Sequence, residues 1–197
     1  MARFGCLAAF LAVSLVSGNI SASAAPKANY AFVFSDSKVT YSATGAEIIP
    51  GSKFNLDALR RGLPSYDFEQ VEEEEQSAWL IFRERDADGS PKVEIEIFID
   101  SSDASRIDFI AGWENFIDPA GATAGTALTS FFKSDQVQCY DGLDFECDSD
   151  QFDTITYSVD AETCGPDFKF PGVDTRTTLL PCLTVEGVYL APSNRGM

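Results

Sequence analysis

The chain has 197 residues, with 31 acidic and 14 basic side chains, a formal charge of −17 and no histidine. Without histidine it cannot form a Ser/His/Asp triad, a Cys/His dyad, a histidine-ligated metal site or a histidine general base. So negative a balance excludes nucleic-acid binding through a basic footprint, while a hydrophobic share of 45% with 16 phenylalanines marks a chain that folds.

At the N-terminus, Arg3 is the only charged residue before Lys27. An apolar run from Leu7 to Val16 leads to Ala22-Ser23-Ala24, which fits the small-x-small rule of signal-peptidase sites. The run is far shorter than the roughly 20 residues a membrane span needs. Residues 1–24 are therefore expected to be a cleaved secretory signal, and residues 25–197 a single domain, periplasmic or secreted. Cys6 precedes the apolar run, the wrong place for a lipid-anchored cysteine. No later run reaches spanning length, so no membrane insertion is expected after cleavage.

Strand signals follow in chain order. Tyr30, Phe32 and Phe34 alternate with smaller residues, and Val39 and Tyr41 repeat the pattern. Asn55 to Arg61 reads as a short helix: Asn55 caps it, Leu56 and Leu59 share a face, and Pro64 blocks extension. Gly62 suits a left-handed C-terminal position. Trp79–Arg85 and Lys92–Ile99 flank Asp86-Ala87-Asp88-Gly89-Ser90 as a hairpin. In its second arm Val93, Ile95, Ile97 and Ile99 are expected on one face, with Glu94 and Glu96 on the other. Arg106–Ile110 is a further strand, and Thr126–Phe132 a second short helix. Val137–Tyr140 and the stretch near Phe145 flank Asp141-Gly142 as another hairpin. Thr154–Val159 and Leu183–Leu190 complete the set. The expected class is α+β, dominated by mostly antiparallel strands with one or two short helices.

Four cysteines follow the signal: Cys139, Cys147, Cys164 and Cys182. An even count in an exported chain indicates two disulfides. Three pairings are open, and the sequence-local one, Cys139–Cys147 with Cys164–Cys182, is favoured.

The order of Asp103-Ala104-Ser105-Arg106-Ile107-Asp108, Gly121-Ala122-Thr123-Ala124-Gly125-Thr126-Ala127-Leu128, Phe131, the pair Cys139 and Cys147, and Ile155-Thr156-Tyr157 resembles the RpoE-regulated lipoprotein family. The resemblance spans about residues 50–160. It implies an envelope location in a Gram-negative bacterium and a compact mixed fold, and supplies no catalytic residues. The chain departs from the family in lacking a lipoprotein cysteine at a mature N-terminus and in adding Cys164 and Cys182.

Two acidic clusters stand out. Asp141, Asp144, Glu146, Asp148, Asp150 and Asp153 have no basic residue among them. Clustered carboxylates on a loop suit calcium, so Asp141, Asp144, Glu146, Asp148 and Asp150 are candidate ligands; a solvated acidic loop pinned by a disulfide is the plainer alternative. Asp86-Ala87-Asp88-Gly89 is not an EF-hand, because Ile95 would occupy the position of the bidentate glutamate. The run Glu72, Glu73, Glu74 and Glu75 is either a solvated segment or a surface for a basic protein. The expected function is an exported, non-enzymatic binding protein with an acidic surface. Alternatives are an inhibitor of a basic enzyme such as a lysozyme, and a carboxylate hydrolase using parts such as Trp79, Trp113-Glu114 and Tyr140-Asp141. No resident cofactor is expected beyond calcium.

Overall fold

The computed structural model describes residues 30–73, 76–141, 145–165, 168 and 181–192. The signal residues 1–24 lie outside that range.

The chain makes two sheets. Short strands β1 (Phe32–Phe34), β2 (Val39–Tyr41) and β3 (Glu47–Ile48) precede helix α1 (Leu56–Gly62). Then come β4 (Asp67–Glu73), β5 (Gln76–Arg85), β6 (Pro91–Ile99), β7 (Ile107–Gly112) and β8 (Phe116–Ile117). Strands β9 (Val137–Asp141), β10 (Phe145–Ser149), β11 (Phe152–Asp160) and β12 (Thr184–Leu190) follow. The large sheet has eight antiparallel strands in the order β4-β5-β6-β7-β12-β11-β10-β9. The small sheet runs β3-β2-β1-β8, with β1 and β8 parallel. The result is sheet-dominated rather than α+β. The second helix expected at Thr126–Phe132 reduces to one 3-10 turn, Leu128–Ser130.

Apolar alternation builds the core. Ile81, Ile95, Ile97, Ile110, Ile155, Tyr157, Val188 and Leu190 line the inner face of the large sheet. Phe32, Phe34, Val39, Tyr41 and Ile48 of the small sheet pack against them, with Leu59 from α1, Leu63 that caps its C-terminus, and Leu128 and Phe132 from the segment after β8. Asn55 caps α1 as expected, its Oδ1 accepting from Ala58 N at 2.9 Å. Gly62 is not left-handed. It is the last helical residue, and a Cβ there would lie 2.6 Å from Ala46 Cβ, so close packing explains the glycine.

Two further glycines set how closely the layers approach. A Cβ on Gly112 would lie 2.7 Å from the Phe34 ring on the inner side. A Cβ on Gly187 would lie 2.6 Å from the Trp113 ring. Two disulfides tie the second half of the chain. Cys139–Cys147 joins directly opposed residues of β9 and β10, and Cys164–Cys182 bridges a sequence separation of 18.

Gly112→Ala should cost about 1–3 kcal/mol by overpacking against Phe34. In urea its midpoint falls while the slope stays that of the native chain. Replacing Cys164 and Cys182 together by serine should lower unfolding stability by about 3 kcal/mol, the loop-closure entropy of that span, measured in the same titration without reductant.

Candidate functional site

Two regions of the large sheet carry polar chemistry: its outer face and a cleft at one end of the inner face.

The outer face begins with a strip of aromatics. Phe98 of β6 stacks on Phe109 of β7 with ring centroids 4.0 Å apart. Phe109 meets Tyr189 of β12 edge-on at 6.0 Å, and Tyr189 meets Trp113 edge-on at 5.6 Å. Ala78, Ala111 and Val71 complete this cluster, which is separate from the main core. Glycine at 187 leaves room for the indole, whose Nε1 donates to Glu96 at 3.1 Å. Glu96 is only 7% exposed, so this bond anchors the tryptophan over a buried carboxylate.

Carboxylates surround the strip. Asp108 accepts from Gln76 at 2.8 Å, and Glu186 from Ser158 at 3.3 Å. Glu69 alternates with core-facing Phe68 and pairs with Arg85 at 2.5 Å. Glu146 and Asp148 alternate with buried Cys147 on β10, so both point to this outer face, and Asp148 accepts from Thr156 at 2.7 Å. Tyr140 lies opposite Glu146, and its phenol is held above the usual range by burial, then by Asp148 and Glu146.

The expected calcium ligands are only partly placed. Glu146 and Asp148 share one side of β10, and Asp150 follows that strand. Asp141 ends β9, and Asp144 lies outside the described residues. Among the described residues no group of three carboxylates or cysteines is arranged to hold a metal. Of the run Glu72–Glu75, Glu72 accepts from Gln70 at 3.1 Å and Ser77 at 2.8 Å. Glu73 pairs with Gln76 across the hairpin, and Glu74 and Glu75 lie outside the described residues.

The parts considered for a carboxylate hydrolase are not brought together. Trp79 packs against the inner core, stacked on Phe54 at 5.6 Å, while Trp113 lies in the outer cluster. Glu114 sits instead at the rim of the cleft.

The cleft is created by a register slip. Ile81 pairs with Ile95 and Phe82 with Val93, so Glu94 is the extra residue of a β-bulge. A bulge re-aims side chains. Glu94 therefore turns inward, correcting the expectation that it faces away from Ile95 and Ile97. It is 6% exposed and fully engaged: Arg83 Nε donates to Oε1 at 2.7 Å, Tyr66 Oη to Oε2 at 2.9 Å, and Asn115 Nδ2 to Oε2 at 3.3 Å. The Arg83 guanidinium also lies over the Tyr66 ring at 5.3 Å. Burial and then the bond to Glu94 push the Tyr66 phenol above its usual range. The bond to Glu94 likewise raises Arg83 further. The cleft beside this group has a volume of about 470 Å³ and is lined by Arg83, Glu84, Lys92, Glu94, Glu114, Asn115 and Ala124.

A third buried carboxylate is structural. Asp118, 2% exposed, accepts from Ala122 N at 2.6 Å and from Tyr157 Oη, fixing the loop after β8 on the core. Nothing in its surroundings in sequence marks it out, which is why sequence reasoning missed it.

No family model matches the chain, and no curated protein matches it. It is similar to a solved structure, the uncharacterized protein yfeY from Escherichia coli. The TM-score is 0.48 and the identity 14%, over 80% of this chain and 97% of that one. A likeness at that level carries no weight for the site. The two disulfides are compatible with an exported protein. No helix among the described residues is long and apolar enough to cross a membrane.

Burial raises the Asp118 carboxyl above its ordinary value, with the Tyr157 hydroxyl and backbone N–H groups opposing. A group raised in the folded state contributes stability that is complete below its unfolded value, about pH 3.9, and lost as pH rises through its folded value. Asp118→Asn keeps an acceptor for Ala122 and removes the titration. Its melting temperature relative to the native chain should therefore climb as pH rises from 4 towards neutrality. A difference independent of pH would refute the assignment.

Proposed function

We propose that the chain is an exported, non-enzymatic binding protein whose partner is a basic protein, docked on the outer face of the large sheet. The observation that carries this reading is the aromatic strip Phe98–Phe109–Tyr189–Trp113 set among Glu69, Asp108, Glu146, Asp148 and Glu186. Aromatic anchors surrounded by polar groups are the usual anatomy of a protein interface. Phe109, Trp113 and Tyr189 on this face are only partly buried. Its carboxylates, in a chain of net charge −17, would speed encounter with a cationic partner and repel acidic ones. Glu72, at the β4–β5 end of the same sheet, adds to the negative field. A strongly basic enzyme such as a muramidase belongs to the class of partner supported, which keeps inhibition within this reading. Membership of the RpoE-regulated lipoprotein family, and with it an envelope location, belongs to the same proposal and rests on the segments between residues 103 and 159.

The test is titration of the full mature chain with a basic muramidase at low and high salt. Binding should be strongest at low ionic strength and fall steeply once the screening length drops below about 5 Å. Tyr189→Ala and Phe109→Ala should each weaken it by about tenfold or more at fixed salt, the signature of an aromatic anchor. If both variants stay folded and bind like the native chain, the outer face is not the docking surface.

A further inference from the structure

We infer that the cleft beside Glu94 is a binding site for a small zwitterion carrying a free carboxylate and a free ammonium, as an amino acid or short peptide does. Its volume of about 470 Å³ is within the range of small-molecule sites and suits a ligand of two or three residues. The lining excludes other classes. Ala124 is its one apolar side chain, so there is little to hold an apolar ligand. Glu84, Glu94 and Glu114 oppose a polyanion, and Arg83 and Lys92 oppose a polycation. A molecule bearing one charge of each sign satisfies both sets.

Arg83 is the centre of the site. Its Nε is committed to Glu94 and its plane rests over the Tyr66 ring, which together fix the guanidinium. Its two terminal nitrogens make no hydrogen bond among the described residues, although the side chain is 44% exposed. A guanidinium held by one edge presents the other as a ready fork for a carboxylate, and little entropy remains to be lost when a ligand arrives.

Lys92 and Glu114 flank it as an exposed pair, 3.3 Å apart. Pairs of this exposure are weak, so each partner can transfer to a ligand: Lys92 to its carboxylate, Glu114 to its ammonium. Glu84, exposed and without a hydrogen bond among the described residues, is the second acceptor for the ammonium. The backbone beside the site is also unusual. Asn115 has φ +59°, the one non-glycine residue with positive φ among the described residues, and its side chain is the third donor to Glu94. Strained backbone of this kind persists where surrounding contacts over-determine it, often at ligand sites. Here the Phe32 N–H to Asn115 carbonyl bond, 3.1 Å, supplies one such contact.

The test is calorimetric titration of the mature chain with alanyl-alanine, with its N-acetyl derivative and with its C-terminal amide. The parent dipeptide should bind, and capping either end should weaken it by about tenfold or more, the loss of one charged contact. Lys92→Met and Glu84→Gln, both at exposed positions, should weaken the parent dipeptide while leaving the melting temperature unchanged. Arg83→Met should abolish binding; because it also unpairs Glu94, the two exposed variants decide the matter if it unfolds. The inference is overturned if the parent dipeptide fails to bind at about 10 mM, well above ordinary metabolite affinities. Equal affinity for the capped forms overturns it too, as does native binding by a folded Lys92→Met, Glu84→Gln double variant. Basic-protein docking on the outer face is read separately, since none of these substitutions touches Phe109 or Tyr189.

Discussion

The register slip between β5 and β6 is the constraint on which the cleft end of the molecule depends. One extra residue in β6 converts Glu94 from a side chain that strict alternation sends outward into one that points inward. A carboxylate driven into the edge of an apolar core must find donors or destabilise it. It finds three, and each comes from a different part of the chain: Tyr66 after α1, Arg83 of β5, and Asn115 between β7 and β8. Tyr66 in turn packs edge-on against Phe32 and Tyr41 of the small sheet. The backbone of Glu94 is engaged as well, its carbonyl accepting from Trp113 N at 3.0 Å. One buried anion thus organises the junction of both sheets, the helix end and the cleft.

The middle of the large sheet solves a different problem, because it is packed on both sides. Strands β6, β7 and β12 bury isoleucines and valines inward and aromatics outward. Side chains cannot be large on both faces at every position, and glycine marks where one layer gives way. Gly112 admits Phe34 from the small sheet, and Gly187 admits the Trp113 indole. The outer aromatics are therefore part of the sheet's own packing as well as a surface. That dual role explains why Phe98 is buried while Phe109, Trp113 and Tyr189 are only partly so, and why Glu96 can lie beneath Trp113 without exposure.

Much of this was legible because period-two alternation is read directly from residue order. Ile155, Tyr157 and Val159 face inward as expected, the Asp88-Gly89 turn joins β5 to β6, and Asn55 caps α1. The errors share a physical cause: alternation reports local geometry only. It could not register the bulge that turns Glu94, since Val93-Glu94-Ile95 alternates perfectly in sequence. It hid β4, whose run of Asp67, Glu69, Glu72 and Glu73 resembles a solvated segment until pairing with β5 supplies its ladder. It overlooked β3 and β8, two residues each, which exist only because neighbours pair with them. Asp118 was invisible for the same reason, as its partner Tyr157 lies 39 residues away. The composition, by contrast, drew attention to dense acidic runs, whereas the most constrained carboxylates are the isolated Glu94, Glu96 and Asp118.

The distinction between dense and isolated carboxylates also separates two ranges of electrostatic action. Exposed charges on the outer face act through solvent, over distances comparable with the screening length, about 8 Å at physiological salt. They influence approach and partner choice, and salt weakens them. Glu94 works at hydrogen-bond distance inside the protein, where screening is slight. Its effect on the cleft is geometric: it holds Arg83 still and directs the unused edge of the guanidinium outward. In a chain with more than twice as many acidic as basic residues, a fixed cation is a scarce local feature. The buried carboxylate is what keeps it fixed. The negative surplus and the anchored Arg83 guanidinium are thus complementary, the first acting at long range on a macromolecule and the second at contact on a small ligand.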